Sequence, residues 1–190
     1  MKRHIILGTG VFLASAANFG LTVAQSAQTP PPPAQTPAPP VQVWFSPLGG
    51  CTAAVVKELG AATTSVDVEA YDFSSLPIAR ALSAAHGRGV KVRVVIDRLG
   101  ARQKKCVAPS LQTAGIPVVV DGNHAIFHDK VMVIDGAKLL TGSFNFTQNA
   151  ENRNAENLLV LSDVPDLAAK YEAEFERHRA HSLPLATEAP

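Results

Sequence analysis

From Val41 onward, short apolar runs alternate with segments of helical spacing, which predicts an α/β fold built in layers rather than a helical bundle or an all-β barrel. Val41 to Phe45 alternates and predicts a first strand, ended by Pro47-Leu48-Gly49-Gly50. Val55, Val56 and Leu59 then share one helical face. Ser65 to Tyr71 alternates through Val66, Val68 and Ala70 as a second strand, leaving Asp67 and Glu69 on its wet side and Asp72 in the loop beyond. Ser75 is placed to cap a helix, with Pro77 close behind it. Ile78, Ala81, Leu82 and Ala85 continue that helix to Gly87, with His86 at the end where the dipole favours a protonated ring. Val90 to Ile96 predicts a third strand, Arg102 to Ala114 a helix interrupted by Pro109, and Ile116 to Val120 a fourth strand. Lys130 to Ile134 and Lys138 to Thr141 flank Asp135-Gly136, the strongest hairpin signal in the chain. Leu158 to Leu161 adds a strand. After Pro165, Leu167, Tyr171 and Phe175 recur four residues apart as a closing amphipathic helix, and His178 and His181 beyond them read as a solvated tail rather than a metal pair.

The chain has 190 residues, which suits one domain with attached segments. Its 46% apolar content excludes wholesale disorder, and a net charge of +1 excludes a protein that coats polyanions through its overall field. Met1 to His4 is a short basic start and Ile5 to Ala17 an apolar run of signal-peptide length, with Thr22-Val23-Ala24 as the cleavage site. Residues 1–24 are therefore expected to direct export to the periplasm or the medium, without stable membrane insertion. Residues 25–40, rich in proline, form a semi-rigid linker; 41–184 form the folded domain and 185–190 a tail. Cys51 and Cys106 are either one disulfide or two separately buried thiols.

The chemistry concentrates in His128-Asp129-Lys130-Val131-Met132-Val133-Ile134-Asp135 and Thr141-Gly142-Ser143-Phe144-Asn145-Phe146-Thr147. Two apart on a strand, His128 and Lys130 project from one face about 6.6 Å apart along the chain, and both reach one phosphate. A hairpin loop of Gly136-Ala137 would pair Asp135 with Lys138, setting Lys130 opposite Ser143 and His128 opposite Asn145. A solvated hairpin face would account for His128 and Lys130 alone. It does not account for an imidazole, an ammonium, a hydroxyl and an amide gathered beside Val131, Val133 and Leu140. An anion site does: histidine attacks phosphorus or donates a proton, lysine supplies fixed charge, and serine and asparagine add donors. No metal or other cofactor is needed for this arrangement.

These residues resemble a known family. His-x-Lys-x4-Asp followed by Gly-Ser-x-Asn is the HKD signature of the phospholipase D superfamily, and the region from Val41 to Arg179 is similar to its small, single-motif, exported bacterial endonucleases. The resemblance implies a single domain with a mixed β-sheet flanked by helices on both faces. It implies that His128 is the nucleophile forming a phosphohistidine, that Lys130, Ser143 and Asn145 bind the phosphate, and that Glu156 orients the imidazole. Asp135 belongs to the signature, but its odd number puts it in the turn, off the His128 face, in a mainly architectural role.

A nucleophile must start deprotonated while the leaving group needs a proton, and one histidine cannot start in both states. With no second His-x-Lys in the chain, a two-fold homodimer joining both His128 side chains is expected, and the resemblance implies the same assembly. His124 is the rival second histidine, but on a strand it would lie about 13 Å from His128. Arg88, Lys91, Arg93, Arg98, Arg102, Lys104 and Lys105, against Asp97 alone, offer a track for a phosphate backbone. The expected activity is metal-independent, sequence-tolerant cleavage of DNA or RNA. Hydrolysis of phospholipid headgroups and catalytically silent nucleic-acid binding are the alternatives.

Overall fold

Side-chain alternation along the strands divides the sheet into two faces, and helices cover both. The computed structural model describes residues 40–185, so the expected signal peptide, all of the linker but Pro40 and all of the tail but Leu185 lie outside the described residues. Eight strands, β1 (Val41–Ser46), β2 (Ser65–Ala70), β3 (Lys91–Asp97), β4 (Val118–Asp121), β5 (Lys130–Ile134), β6 (Lys138–Gly142), β7 (Glu156–Leu161) and β8 (Leu183–Pro184), form one mixed sheet in the order β1-β7-β6-β5-β2-β3-β4-β8. Even-numbered residues of the central strands (Val66, Val68, Val92, Val94, Met132, Ile134) pack into the main core with Val55 and Leu59 of α1 (Cys51–Ala61), Ile78 and Leu82 of α2 (Leu76–Gly87) and Leu111. Odd-numbered residues lie under the long helix α6 (Pro165–His181): Val131, Val133 and Leu139 meet Ala168, and Val95 meets Phe127 and Phe175. This is the expected α/β architecture with helices on both faces.

Covering the second face overturns two sequence expectations. Asp67 and Glu69 are not on a wet side; they are 3% and 2% exposed, beneath α6. Their alternation with valines imitates a solvated strand because each charge has a buried partner instead of water. Arg93 donates to both oxygens of Asp67 at 2.7 and 2.6 Å and also reaches Glu176 on α6. Glu69 lies 2.7 Å from Nδ1 of His178, and burial pushes its carboxyl up to about 7, with the His178 hydrogen bond opposing. His178 is thus a buried residue in the last turn of α6, and the helix runs on through His181 rather than giving way to a solvated tail.

Of the predicted Arg102–Ala114 helix only α4 (Ala108–Thr113) forms, preceded by a separate short helix, α3 (Arg98–Ala101); a further short helix, α5 (Gln148–Asn152), lies between β6 and β7. Pro109 opens α4, where its missing N–H costs nothing, instead of interrupting a longer helix. The short β8 was not predicted. Cys51 and Cys106 are separate thiols whose pKa values burial raises, Cys51 to about 11.

The β5–β6 hairpin also differs by one residue from expectation. Ile134, not Asp135, pairs with Lys138, and the loop is Asp135-Gly136-Ala137. Asp135 and Gly136 both take left-handed φ values of 54° and 62°, and the Ala137 N–H closes the turn on Ile134 O at 3.2 Å. The consequence is that Lys130 does not face Ser143, nor His128 Asn145, across a ladder. Asp135 is held in this turn because its carboxylate accepts the backbone N–H groups of Thr63, Thr64 and Ser65 at 3.0, 2.7 and 3.0 Å, fastening the hairpin to the start of β2.

Burial alone would raise the Asp135 pKa, but the Thr64, Ser65 and Thr63 donors outweigh it and hold the carboxyl far below its usual 3.8. A depressed folded pKa gives stability that is complete above about pH 5 and is lost as the pH falls. Asp135→Ala is therefore expected to cost about 2 kcal/mol and lower Tm by about 5 °C at pH 7, with the difference from wild type shrinking toward pH 3, as thermal melts across pH would show.

Candidate functional site

Strand direction brings the candidate residues other than Asp135 to one end of the sheet. β2, β3 and β4 run parallel and end at Ala70, Asp97 and Asp121; β5 is antiparallel to β2, so it begins there, at Lys130. By the same alternation β6 ends there at Gly142 and β7 begins there at Glu156, opposite Ser46 of β1.

Lys130 is 6% exposed and pairs with Ala70. Its Nζ donates to the carbonyl of His128 at 2.6 Å and sits 4.8 Å from the centroid of the Tyr71 ring. Burial lowers the Lys130 pKa, opposed by Asp129, Glu156, Asp72 and Asp97. An ammonium has three donors; the remaining two are available to an anion. His128 precedes β5 rather than lying in it, is exposed, and rests its ring on Tyr71 with centroids 4.6 Å apart. Tyr71 therefore supports both groups, and its own N–H is tied to Asp129 O at 2.9 Å. Sequence reasoning missed it; an aromatic at the end of a buried strand was the available signal. Asp97 was likewise missed. One oxygen caps α3 through Leu99 N at 2.6 Å and Gly100 N at 3.2 Å, and the other accepts the N–H of Phe127, the residue before His128, at 2.9 Å.

The second segment is fixed by its aromatics. Phe144 and Phe146 are buried in the main core, and Phe146 O accepts from Ser74 N and Ser75 N at 3.0 and 2.9 Å. Asn145, between them, has a buried Oδ1 without a partner among the described residues, as does Asp72, whose carboxyl burial pushes up. Ser143 is exposed, and its Oγ accepts from Asn157 N at 3.1 Å. Gly142 has φ 148°, and a Cβ there would lie 2.3 Å from Asn157 O, so only glycine lets β6 leave the sheet this close to β7. Glu156 accepts from Asn154 Nδ2 at 3.0 Å; within the chain it makes no hydrogen bond to His128.

His124 lies in the connection between β4 and β5, not on a strand with His128; its Nδ1 is 3.0 Å from Asp121 Oδ2. The basic stretch divides. Arg88 is tied to the carbonyls of Leu59 and Ala62 at 3.0 and 3.2 Å, and Arg93 to Asp67 and Glu176. Of the other five, Arg98, Arg102 and Lys104, but not Lys91 or Lys105, line with Gln103 and Asn123 an open groove of about 1220 Å³. The arrangement offers an exposed imidazole, a desolvated ammonium and an unpartnered amide at one end of the sheet, which suits attack on a phosphodiester.

A family profile described as "Cardiolipin synthase, PLD-like domain" matches residues 55–179. The "Phospholipase D" of Rickettsia conorii is 42% identical over 127 residues, 67% of this chain and 63% of that protein, so the chain aligns with somewhat under two thirds of that relative's length. The "Phospholipase D" of Rickettsia bellii is 36% identical over 175 residues, 87% of each. The crystal structure of a phospholipase D family member, Nuc from Salmonella typhimurium, superposes with a TM-score of 0.73 at 37% identity, covering 76% of this chain and 96% of that one.

If the Tyr71 ring positions both His128 and Lys130, Tyr71→Ala should lower hydrolysis of bis(4-nitrophenyl) phosphate at least about tenfold with Tm little changed. An unchanged rate would mean that the ring positions neither group.

Proposed function

The chain belongs to the phospholipase D-like family of hydrolases acting on phosphodiester bonds, and from that premise we propose that it is an exported endonuclease that cleaves DNA, and RNA as a related substrate, without base specificity. The observation that carries this reading is a buried ammonium, Lys130, beside an exposed imidazole, His128, with the lip of a basic groove attached to the same carboxylate, Asp97, that holds Phe127.

In the proposed reaction His128 attacks phosphorus, a nitrogen–phosphorus bond forms, and the bond to the leaving oxygen breaks as that oxygen takes a proton. Water then attacks the phosphohistidine and frees His128. Lys130, Ser143 and Asn145 bind the non-bridging oxygens, where the ammonium meets the phosphate charge, so the step needs no metal ion. The proton comes from His128 of a second copy, because the attacking ring must begin neutral and the donor protonated. Glu156 orients an imidazole across that two-fold axis.

Exposed apolar side chains support the dimer. Phe45, Leu48, Leu76, Leu99 and Ile126 are all well exposed, and each sits on or just beyond a strand end where the site opens. A second copy laid over this end would cover them while delivering its His128. The same ring of side chains favours the second reading, a lipid surface and hydrolysis of phospholipid headgroups, which the names of the Rickettsia relatives also suggest. Against it stands the groove lined by Arg98, Arg102 and Lys104, which suits a long polyanion better than a headgroup. Among the described residues no helix is long and apolar enough to cross a membrane.

In buffer with EDTA, the protein should nick supercoiled plasmid as a species sedimenting as two chains, release no choline from phosphatidylcholine vesicles, and lose nicking by at least about 10³-fold in His128→Asn. Choline release with the plasmid left intact would establish the lipid reading instead. Full nicking by His128→Asn would remove the mechanism.

A further inference from the structure

Three of the chain's six histidines converge on the α6 side of the sheet. The rings of His124, His178 and His181 lie with centroids 5.3 Å (His124 to His178), 5.3 Å (His124 to His181) and 5.9 Å (His178 to His181) apart. His178 is already engaged, with Glu69 on Nδ1 at 2.7 Å and Glu174 on Nε2 at 3.0 Å. The other two share one atom. Oδ2 of Asp121 is 3.0 Å from His124 Nδ1 and 2.7 Å from His181 Nε2.

We propose that Asp121 Oδ2, His124 Nδ1 and His181 Nε2 form a binding site for a transition-metal dication of the Zn²⁺ class, a structural staple separate from the phosphodiester chemistry. The three ligand atoms come from three elements, the end of β4, the connection to His128 and the last turn of α6, and lie within 4.8 Å of one another. Their separations of 2.7 and 3.0 Å need to open by about 0.7 and 0.4 Å to surround an ion at about 2.0–2.2 Å from each, as a tetrahedral zinc site requires. Asp121 is pre-set for this. Its carboxylate is buried, and Oδ1 is occupied by the N–H groups of Asn123 and His124 at 3.0 and 3.1 Å, which fixes Oδ2 toward the two rings. His124 and His181 are partly exposed, and His181, Gly122 and Asn123 border the open groove, so an ion can enter and water can take the fourth position. Two imidazoles and a carboxylate select zinc-like ions over magnesium, which prefers oxygen ligands.

The physical effect is to close a long loop. Asp121 and His181 are 60 residues apart in sequence, and His124 stands four residues before His128. A metal across them would fasten the end of α6 to the segment that delivers the nucleophile, adding stability rather than a catalytic group.

Metal-stripped full-length protein titrated with Zn²⁺ against a chromophoric chelator should take up one ion per chain, with Tm rising by about 5 °C at saturation. Co²⁺ in its place should add a visible ligand-field absorption, and Mg²⁺ should do neither. His124→Ala and His181→Ala should each weaken uptake roughly tenfold or more, with a metal-free melt confirming the fold, whereas His128→Ala should bind as wild type does. No uptake by the wild type, or uptake that survives the double variant, would overturn the proposal and leave the three side chains as a hydrogen-bonded clasp.

Discussion

A positive charge kept out of water governs this molecule. Lys130 begins a strand that is buried along its whole length, so its ammonium is largely withdrawn from bulk solvent, and the structure gives it one carbonyl and one aromatic face in place of part of its hydration shell. Such a group is stable only beside compensating negative charge, and Asp72, Asp129, Glu156 and Asp97 supply it at a distance without forming an ion pair. In the proposed reaction an arriving phosphodiester would complete what those carboxylates begin. On that reading the ammonium is in place before substrate arrives and would need little reorganisation, which is what makes preorganised charge effective at phosphorus.

Everything that supports Lys130 follows from strand direction. With β2 to β4 ending and β5 and β7 beginning at one end of the sheet, residues far apart in sequence become neighbours there. Two aspartates fasten this arrangement from opposite ends. Asp97 joins α3 to the segment before His128, and Asp135 joins the β5–β6 turn to the start of β2. Neither touches His128, yet both limit how far β5 can slide against β2, and a slip of one residue would carry Lys130 to the α6 face. Beneath α6 the Asp67–Arg93 ion pair and the Glu69–His178 hydrogen bond brace the other face of the same strands.

The candidate site was legible because its two segments are contiguous in sequence, and the elements of the sheet because period-two alternation survives burial. What escaped had a common physical origin. Asp67 and Glu69 looked solvated because alternation cannot distinguish water from buried partners, here Arg93 on β3 and His178 on the covering helix. His178 looked like tail because α6 continues through a polar stretch held by contacts to β2 rather than by its own apolar stripe. The hairpin was misjudged by one residue because Asp135 takes a left-handed conformation, stabilised by donors on Thr63 to Ser65 that local turn rules do not see. Tyr71 showed only as an aromatic at the end of a buried strand, and what it supports follows from β2 lying beside β5. In each case the missing information was long-range.

The most direct test of the account is chemical capture of its covalent intermediate. A short oligonucleotide carrying ³²P at the scissile position would be mixed with the protein in EDTA, quenched in alkali within one turnover, and the labelled peptide sequenced by mass spectrometry. The account predicts an alkali-stable, acid-labile phosphoryl group on the ring of His128. Cleavage with no label on the protein, or with label on another side chain, would contradict it.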